Sequence, residues 1–129
     1  MRIVLVADDN AISRELIREI LVSENYRVVE VENGAQALDK TAEMRPDLIL
    51  LDIQMPVMDG FAVIGQLRRD QRFLRIPVVA LTASAMQDDR ERALAAGFDE
   101  YITKPIRAAS LRAHIKRLLR VEDTAAQGA

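Results

Sequence analysis

Residues 47–52 read Asp-Leu-Ile-Leu-Leu-Asp, and this stretch decides the fold. Its four apolar residues between two acids do not alternate with polar ones, as they would in a strand with one wet face. The pattern is that of a strand buried on both sides, which belongs to a parallel sheet covered by helices. Met55, Pro56, Asp59 and Gly60 follow with turn-forming chemistry, so the chain leaves the sheet just beyond Asp52.

Working outward, the same unit recurs. Arg2 to Ala7 (RIVLVA) is a β-branched apolar run ending in Asp8, Asp9 and Asn10; Tyr26 to Val31, Pro77 to Thr82 (PVVALT) and the short Glu100 to Thr103 read as further strands. Helical spacing fills the gaps. Ile12, Leu16, Ile17, Ile20 and Leu21 define a first amphipathic helix with Ser13 as its cap, and Gly34 to Met44 places Ala35, Leu38 and Ala42 on one face before Pro46. Phe61 to Arg69, Gln87 to Ala96 (stopped by Gly97) and Ala108 to Leu119, with Leu111, Ile115, Leu118 and Leu119 on its apolar side, complete the set. Five strands alternating with five helices imply right-handed crossovers and an α/β doubly wound parallel sheet with helices on both faces.

The chain has 129 residues, half of them hydrophobic, enough to bury the core of one domain. That domain is expected over residues 1–121, with 122–129, small and polar, as a flexible C-terminal tail. There is no cysteine, which excludes disulfides and thiolate metal sites, and no secretory signal pattern, so a cytoplasmic location is expected. Apolar runs fall well short of the roughly 20 residues that span a bilayer. Eighteen bases against twenty acids give a net charge of −2 and provide no bulk attraction for nucleic acid.

In doubly wound sheets ligands bind beyond the carboxyl ends of the strands. Asp8 and Asp9 end the first strand, Asp52 the third and Thr82 the fourth, while Lys104 follows the fifth, so all five belong to one rim. Three crowded carboxylates repel, and a divalent cation relieves that repulsion. An all-oxygen donor set suits Mg²⁺. A lysine and a metal facing a carboxylate and a hydroxyl suit a phosphoryl group, whose charge is spread over three oxygens during transfer. Singly, each residue has a plainer reading: Asp8-Asp9 as a helix-capping pair, Thr82 as a strand-end hydroxyl, Lys104 as a solvated charge, Tyr101 as a strand aromatic. Their joint order argues otherwise.

These motifs, namely Asp8-Asp9, Asp52 with MPVMDG after it, LTA around Thr82, and YITKP from Tyr101 to Pro105, resemble as a set the receiver domains of bacterial two-component response regulators. The resemblance covers residues 2 to about 120. It implies a flavodoxin-like strand order 2-1-3-4-5 and a phosphoacceptor role for Asp52 toward phosphohistidine of a histidine kinase or phosphotransfer protein. It further implies Mg²⁺ on Asp9 and Asp52, on Asp8 mostly through water, and on the backbone carbonyl of Gln54, with Lys104 on a phosphoryl oxygen. Thr82 and Tyr101 would form the switch pair, and Gln54 and Ser84 would tune loss of the phosphoryl group to water. The Lys104-Pro105 bond is expected to be cis, as in the family, and a downstream protein would read the surface of the fourth helix, fifth strand and fifth helix, roughly Gln87 to Arg120.

The family likeness describes a switch that assists its own phosphorylation and dephosphorylation, not a metabolic enzyme. A stand-alone regulator is favoured by the Met1 start just before the first strand and by the short tail, and "ITKPI" resembles single-domain cell-cycle relay regulators. The alternative is a receiver excised from a hybrid histidine kinase or a DNA-binding response regulator. An aspartyl-phosphate phosphatase would need a second acid where Gln54 stands, and neither a flavin phosphate loop nor a P-loop is present. His114, the lone histidine, reads as a surface residue, and Arg68, Arg69, Arg72 and Arg75 as a solvated basic run.

Overall fold

A computed structural model describes residues 1–128, with side chains described for 1–120. The chain alternates β1 (Ile3–Ala7), α1 (Ala11–Ser23), β2 (Arg27–Val31), α2 (Gly34–Met44), β3 (Leu48–Asp52), α3 (Gly60–Leu67), β4 (Val78–Thr82), α4 (Gln87–Ala96), β5 (Glu100–Thr103) and α5 (Ala108–Gly128). The strands form one parallel sheet in the order β2-β1-β3-β4-β5. This is the doubly wound α/β architecture read from the sequence. A short 3₁₀ turn at Gln71–Phe73, which the apolar spacing does not reveal, precedes β4.

Side chains alternate across the pleat and so feed two cores. Val4, Val6, Leu48, Leu50, Val79 and Leu81 pack under α1 and α5 against Ile17, Leu21, Leu111 and Ile115. Leu5, Ala7, Ile49, Leu51, Val78 and Ala80 pack under α2, α3 and α4 against Val63, Ile64, Ala93 and Phe98. The central strands β3 and β4 are buried at every position, which explains their unbroken apolar runs.

Several local expectations are corrected. The N-cap of α1 is Asn10, not Ser13: the Asn10 side chain accepts the Ser13 N–H at 3.0 Å, because the chain turns directly after the acidic pair. Ile12 is 80% exposed and Leu16 is also exposed, so the buried stripe of α1 is Ile17, Ile20 and Leu21. In α2 the buried positions are Gly34, Ala37 and Thr41, while Ala42 faces outward. α5 continues past Leu119, where the apolar spacing stops. The expected tail, 122–129, has its side chains outside the described residues.

Gly60 is dictated by close approach. A Cβ there would lie 2.8 Å from the Asp52 carbonyl oxygen and 2.8 Å from the Ile53 Cα, and its N–H donates to the Ile53 carbonyl at 2.8 Å. The start of α3 therefore presses on the end of β3. Between them, Val57 adopts φ 70° over a Met58 N–H to Pro56 carbonyl contact of 2.7 Å, a tight three-residue turn in a conformation costly for a β-branched residue.

Candidate functional site

The strand ends bring Asp8, Asp9 and Asp52 together: one carboxylate oxygen from each lies within 4.8 Å of the others. Asp8 and Asp52 are buried and Asp9 is exposed. Lys104 reaches in from the far side of the sheet, its Nζ 2.9 Å from Asp52 Oδ2 and 2.9 Å from Asp8 Oδ2. Toward Asp52 this is a hydrogen bond; toward Asp8 the angle is poor, and Asp8 Oδ2 is left buried without a hydrogen-bond partner. The Lys104-Pro105 bond is cis, as expected.

The remaining carboxylate oxygens are held by backbone. Asp52 Oδ1 accepts the Gln54 N–H at 2.9 Å, and Asp8 Oδ1 accepts the Asn10 N–H at 2.9 Å. Arg14, which sequence reading passed over, donates to the Asp8 carbonyl at 2.7 Å and pairs with Glu32 at 3.3 Å and Glu30 at 3.6 Å. It anchors the turn carrying the acidic pair. Its position one helical turn after Asn10 was the available signal.

Burial raises the pKa of Asp52, and the nearby Asp8 charge adds to this; the hydrogen bonds from Lys104 and Gln54 oppose it without cancelling it. Desolvation pulls the Lys104 pKa down, but its contacts with Asp52 and Asp8 together outweigh burial and leave it raised. A charged ammonium thus faces a carboxylate that ionises reluctantly, and Asp8 Oδ2 has that ammonium as an ion-pair partner but accepts no hydrogen bond. Three carboxylates, one of them bearing an orphaned buried oxygen, suit a hard divalent cation such as Mg²⁺.

Thr82 is buried at the end of β4, and its carbonyl accepts the Lys104 N–H at 2.7 Å, tying the two strand ends together. Its Oγ1 accepts the Ser84 N–H at 3.1 Å. Tyr101 does not reach Thr82; its hydroxyl donates to the Ser84 carbonyl. Ser84 also donates its own hydroxyl to Asp89 in α4. Ser84 is thus a junction of Thr82, Tyr101 and α4, and Asp89 is more than a charge on an exposed helix face. Gln54, Thr82, Ser84, Asp89 and Arg92 line a cavity of about 120 Å³ beside the acids, where Arg92 stacks over the Phe61 ring at 4.5 Å.

A buried acid at the carboxyl edge of a doubly wound sheet, met by a lysine just after β5 and flanked by two further acids and a strand-end hydroxyl, defines a phosphoacceptor-type signalling domain. Residues 4–116 match the family model of the response regulator receiver domain, and the chain belongs to that family. It is 42% identical to the polar-differentiation response regulator DivK of Brucella anthropi over 103 residues, covering 80% of this chain and 84% of that protein. Among solved structures it is similar to the receiver domain of a signal transduction histidine kinase from Syntrophus aciditrophicus, at 36% identity and a TM-score of 0.86, covering 93% of this chain and 91% of the other. It is also similar to the receiver domain of a Pseudomonas aeruginosa sensor histidine kinase, whose structure has magnesium coordinated in the active-site cleft, at 36% identity and a TM-score of 0.85, covering 92% and 97%. As a receiver domain it works within two-component signalling, in which histidine kinases are the partners. No helix among the described residues is long and apolar enough to cross a membrane.

Proposed function

We propose that Asp52 accepts a phosphoryl group from the phosphohistidine of a histidine kinase or phosphotransfer protein, and that the product biases partner binding in the cytoplasm. The observation that carries the reading is the Lys104 Nζ held 2.9 Å from both Asp52 Oδ2 and Asp8 Oδ2, with the Asp9 carboxylate converging on the same rim. An Asp52 carboxylate oxygen forms the new P–O bond while the P–N bond breaks, its electron pair returning to the donor imidazole. Asp8, Asp9, Asp52 and the Gln54 backbone carbonyl would hold Mg²⁺, which when bound supplies positive charge for the phosphoryl oxygens. Lys104 exchanges its bond to Asp52 for one to a phosphoryl oxygen. Thr82, whose Oγ1 already accepts the Ser84 N–H, keeps its hydroxyl proton for a second phosphoryl oxygen.

The phosphodonor needs access along the same rim, and Ile12, 80% exposed in the first turn of α1, with Leu16 one turn on, offers it an apolar landing. Loss of the phosphoryl group to water runs through the same residues, tuned by Gln54 and Ser84. A stand-alone regulator in the manner of DivK, acting through the surface from Gln87 to Arg120, is the leading form. Likeness to receiver domains of two histidine kinases favours a second, a receiver within a hybrid kinase, which the length of the native gene decides.

Intact-mass measurement after incubation with a small acyl phosphate tests the proposal. Wild type should gain one phosphoryl mass only with Mg²⁺ present, and Asp52→Asn should gain none. No gain in wild type, or equal gain in the variant, overturns the assignment.

A further inference from the structure

We propose that Asp89, on α4, is the general base that orients and deprotonates the water by which Asp52 loses its phosphoryl group. The inference rests on the receiver reading and names a residue that sets how long the signal lasts. The sequence has no acid at Gln54, the position where an aspartyl-phosphate phosphatase carries its own. The fold brings one to the same cavity as Gln54 from a different element.

Displacement at phosphorus runs in line, so the attacking water enters from the side facing away from the Asp52 oxygen. Asp8, Asp9 and Lys104 occupy the rim on the β1 and β5 side, with Lys104 Nζ 2.9 Å from both buried acids. On the α4 side, Gln54, whose N–H bonds Asp52 Oδ1 at 2.9 Å, and the buried Thr82 both line the cavity of about 120 Å³. That volume admits several waters beside the acceptor.

Asp89 is the one group on the cavity wall able to take a proton. The rest of the lining is two apolar side chains, the Gln54 amide, the hydroxyls of Thr82 and Ser84, and the Arg92 guanidinium. Amides and hydroxyls are not bases at neutral pH, and a guanidinium has no acceptor. Asp89 is half-buried and held in place: Ser84 donates its hydroxyl to Oδ2, while Oδ1 accepts no hydrogen bond from a described residue and is left for water. Arg92 is engaged over the Phe61 ring at 4.5 Å and makes no ion pair with Asp89. The plainer role for Asp89 is an acid in the first turn of α4, complementing the helix macrodipole. Asp88 fills that role equally and is exposed; of the two, Asp89 is the one turned onto Ser84 and the cavity.

In the step, the water oxygen bonds to phosphorus as the P–O bond to Asp52 breaks, and that electron pair returns to the Asp52 carboxylate. The water proton passes to Asp89 Oδ1 and from there to solvent, and orthophosphate leaves. Lys104 and Thr82 hold phosphoryl oxygens as they do in the forward transfer. Gln54 is neutral, so it holds the water without taking its proton.

The test loads the full chain with a small acyl phosphate and Mg²⁺, strips the donor by rapid gel filtration, and follows the remaining phosphoprotein by intact mass. Asp89→Asn should lose its phosphoryl group about tenfold more slowly than wild type or slower still, while Asp88→Asn, which removes the same charge from an exposed position, should stay within about twofold. Formate, a carboxylate small enough to replace the missing group, should speed the loss from Asp89→Ala in proportion to its concentration, against chloride at the same ionic strength, and leave wild type unchanged. A merely structural role for Asp89 gives no such rescue. Equal loss from Asp89→Asn and wild type, equal slowing in Asp88→Asn, no rescue by formate, or failure of both Asp89 variants to load when Asp88→Asn does, each overturns the proposal. Failure of wild type to gain the phosphoryl mass at all is a distinct result, which removes the receiver reading itself.

Discussion

The two ends of the sheet are built on opposite principles. At the amino edge, Arg68 is 19% exposed in its side chain and satisfies nearly every donor it has: Nε bonds the Gly97 carbonyl at 2.9 Å, Nη1 the carbonyls of Phe73, Leu74 and Ile76 at 3.1 to 3.3 Å, and Nη2 Asp99 Oδ2 at 2.9 Å. Asp99 Oδ2 in turn accepts the Val78 N–H at 2.8 Å, so one guanidinium ties α3, the 3₁₀ turn, β4 and the α4–β5 turn together. At the carboxyl edge, three acids converge, two of them share one lysine, the buried Asp8 Oδ2 has that ion pair but no hydrogen bond, and Val57 sits at φ 70°. The first edge holds the fold; the second keeps unmet polar demand for a ligand to satisfy.

If that contrast is right, the largest loss of stability comes from the edge without chemistry. Arg68→Ala strips partners from four carbonyls and a carboxylate at once, and should lower unfolding free energy by about 3 kcal/mol in urea titration. The folded fraction should still take up a phosphoryl group. Gly60→Ala, which forces a methyl to within 2.8 Å of the Asp52 carbonyl, should cost about 2 kcal/mol and, unlike Arg68→Ala, slow phosphoryl uptake by folded protein, measured by intact mass against time. Equal effects of both on uptake would erase the distinction between the edges.

The strand runs, the acidic rim and the alternation of elements were legible because burial on both faces of β3 and β4 demands unbroken apolar residues, and because strand ends place Asp8, Asp52, Thr82 and Lys104 on one rim whatever the loops do. The Arg68 clasp was not legible. A run of four arginines reads as a solvated face, and only the return of the chain to Gly97 and Asp99, about thirty residues on, brings the acceptors to Arg68. Ile12 and Leu16 misled in the opposite sense: helical spacing puts them near the buried stripe, but the turn at Asn10 rotates them outward. Periodicity gives the face of a helix only as well as its first residue is known.

The carboxyl edge makes a prediction of opposite sign. Asp52→Asn removes a carboxylate whose pKa burial has raised, so without Mg²⁺ the variant should melt at a higher temperature than wild type at pH 8. The sign follows from proton uptake: the folded state binds the Asp52 proton more readily than the unfolded chain, so wild type regains stability as pH falls through the raised pKa. The advantage of the Asn variant should therefore shrink toward pH 4, as followed by thermal denaturation in a chelating buffer. A gain that grows on acidification would contradict the raised pKa.

The smallest expected change in stability tests whether the site is wired to a surface. Ser84→Ala keeps the backbone N–H to Thr82 and the carbonyl to Tyr101 but deletes the hydroxyl bond to Asp89 and the long 3.4 Å bond that the hydroxyl accepts from the Met86 N–H, at about 1 kcal/mol for an intermediate-exposure pair. The N-cap of α4, Met86, makes no side-chain cap bond, and Ala93 is the one residue of this helix that is buried, so the Ser84–Asp89 bond is a large share of what fixes its first turn. Hydrogen exchange at residues 87–92 should differ between phosphorylated and unmodified wild type and lose most of that difference in Ser84→Ala, with uptake at Asp52 unchanged. If the difference survives intact, coupling runs through Tyr101 and the backbone of Ser84 alone, and α4 follows the site without the Asp89 bond.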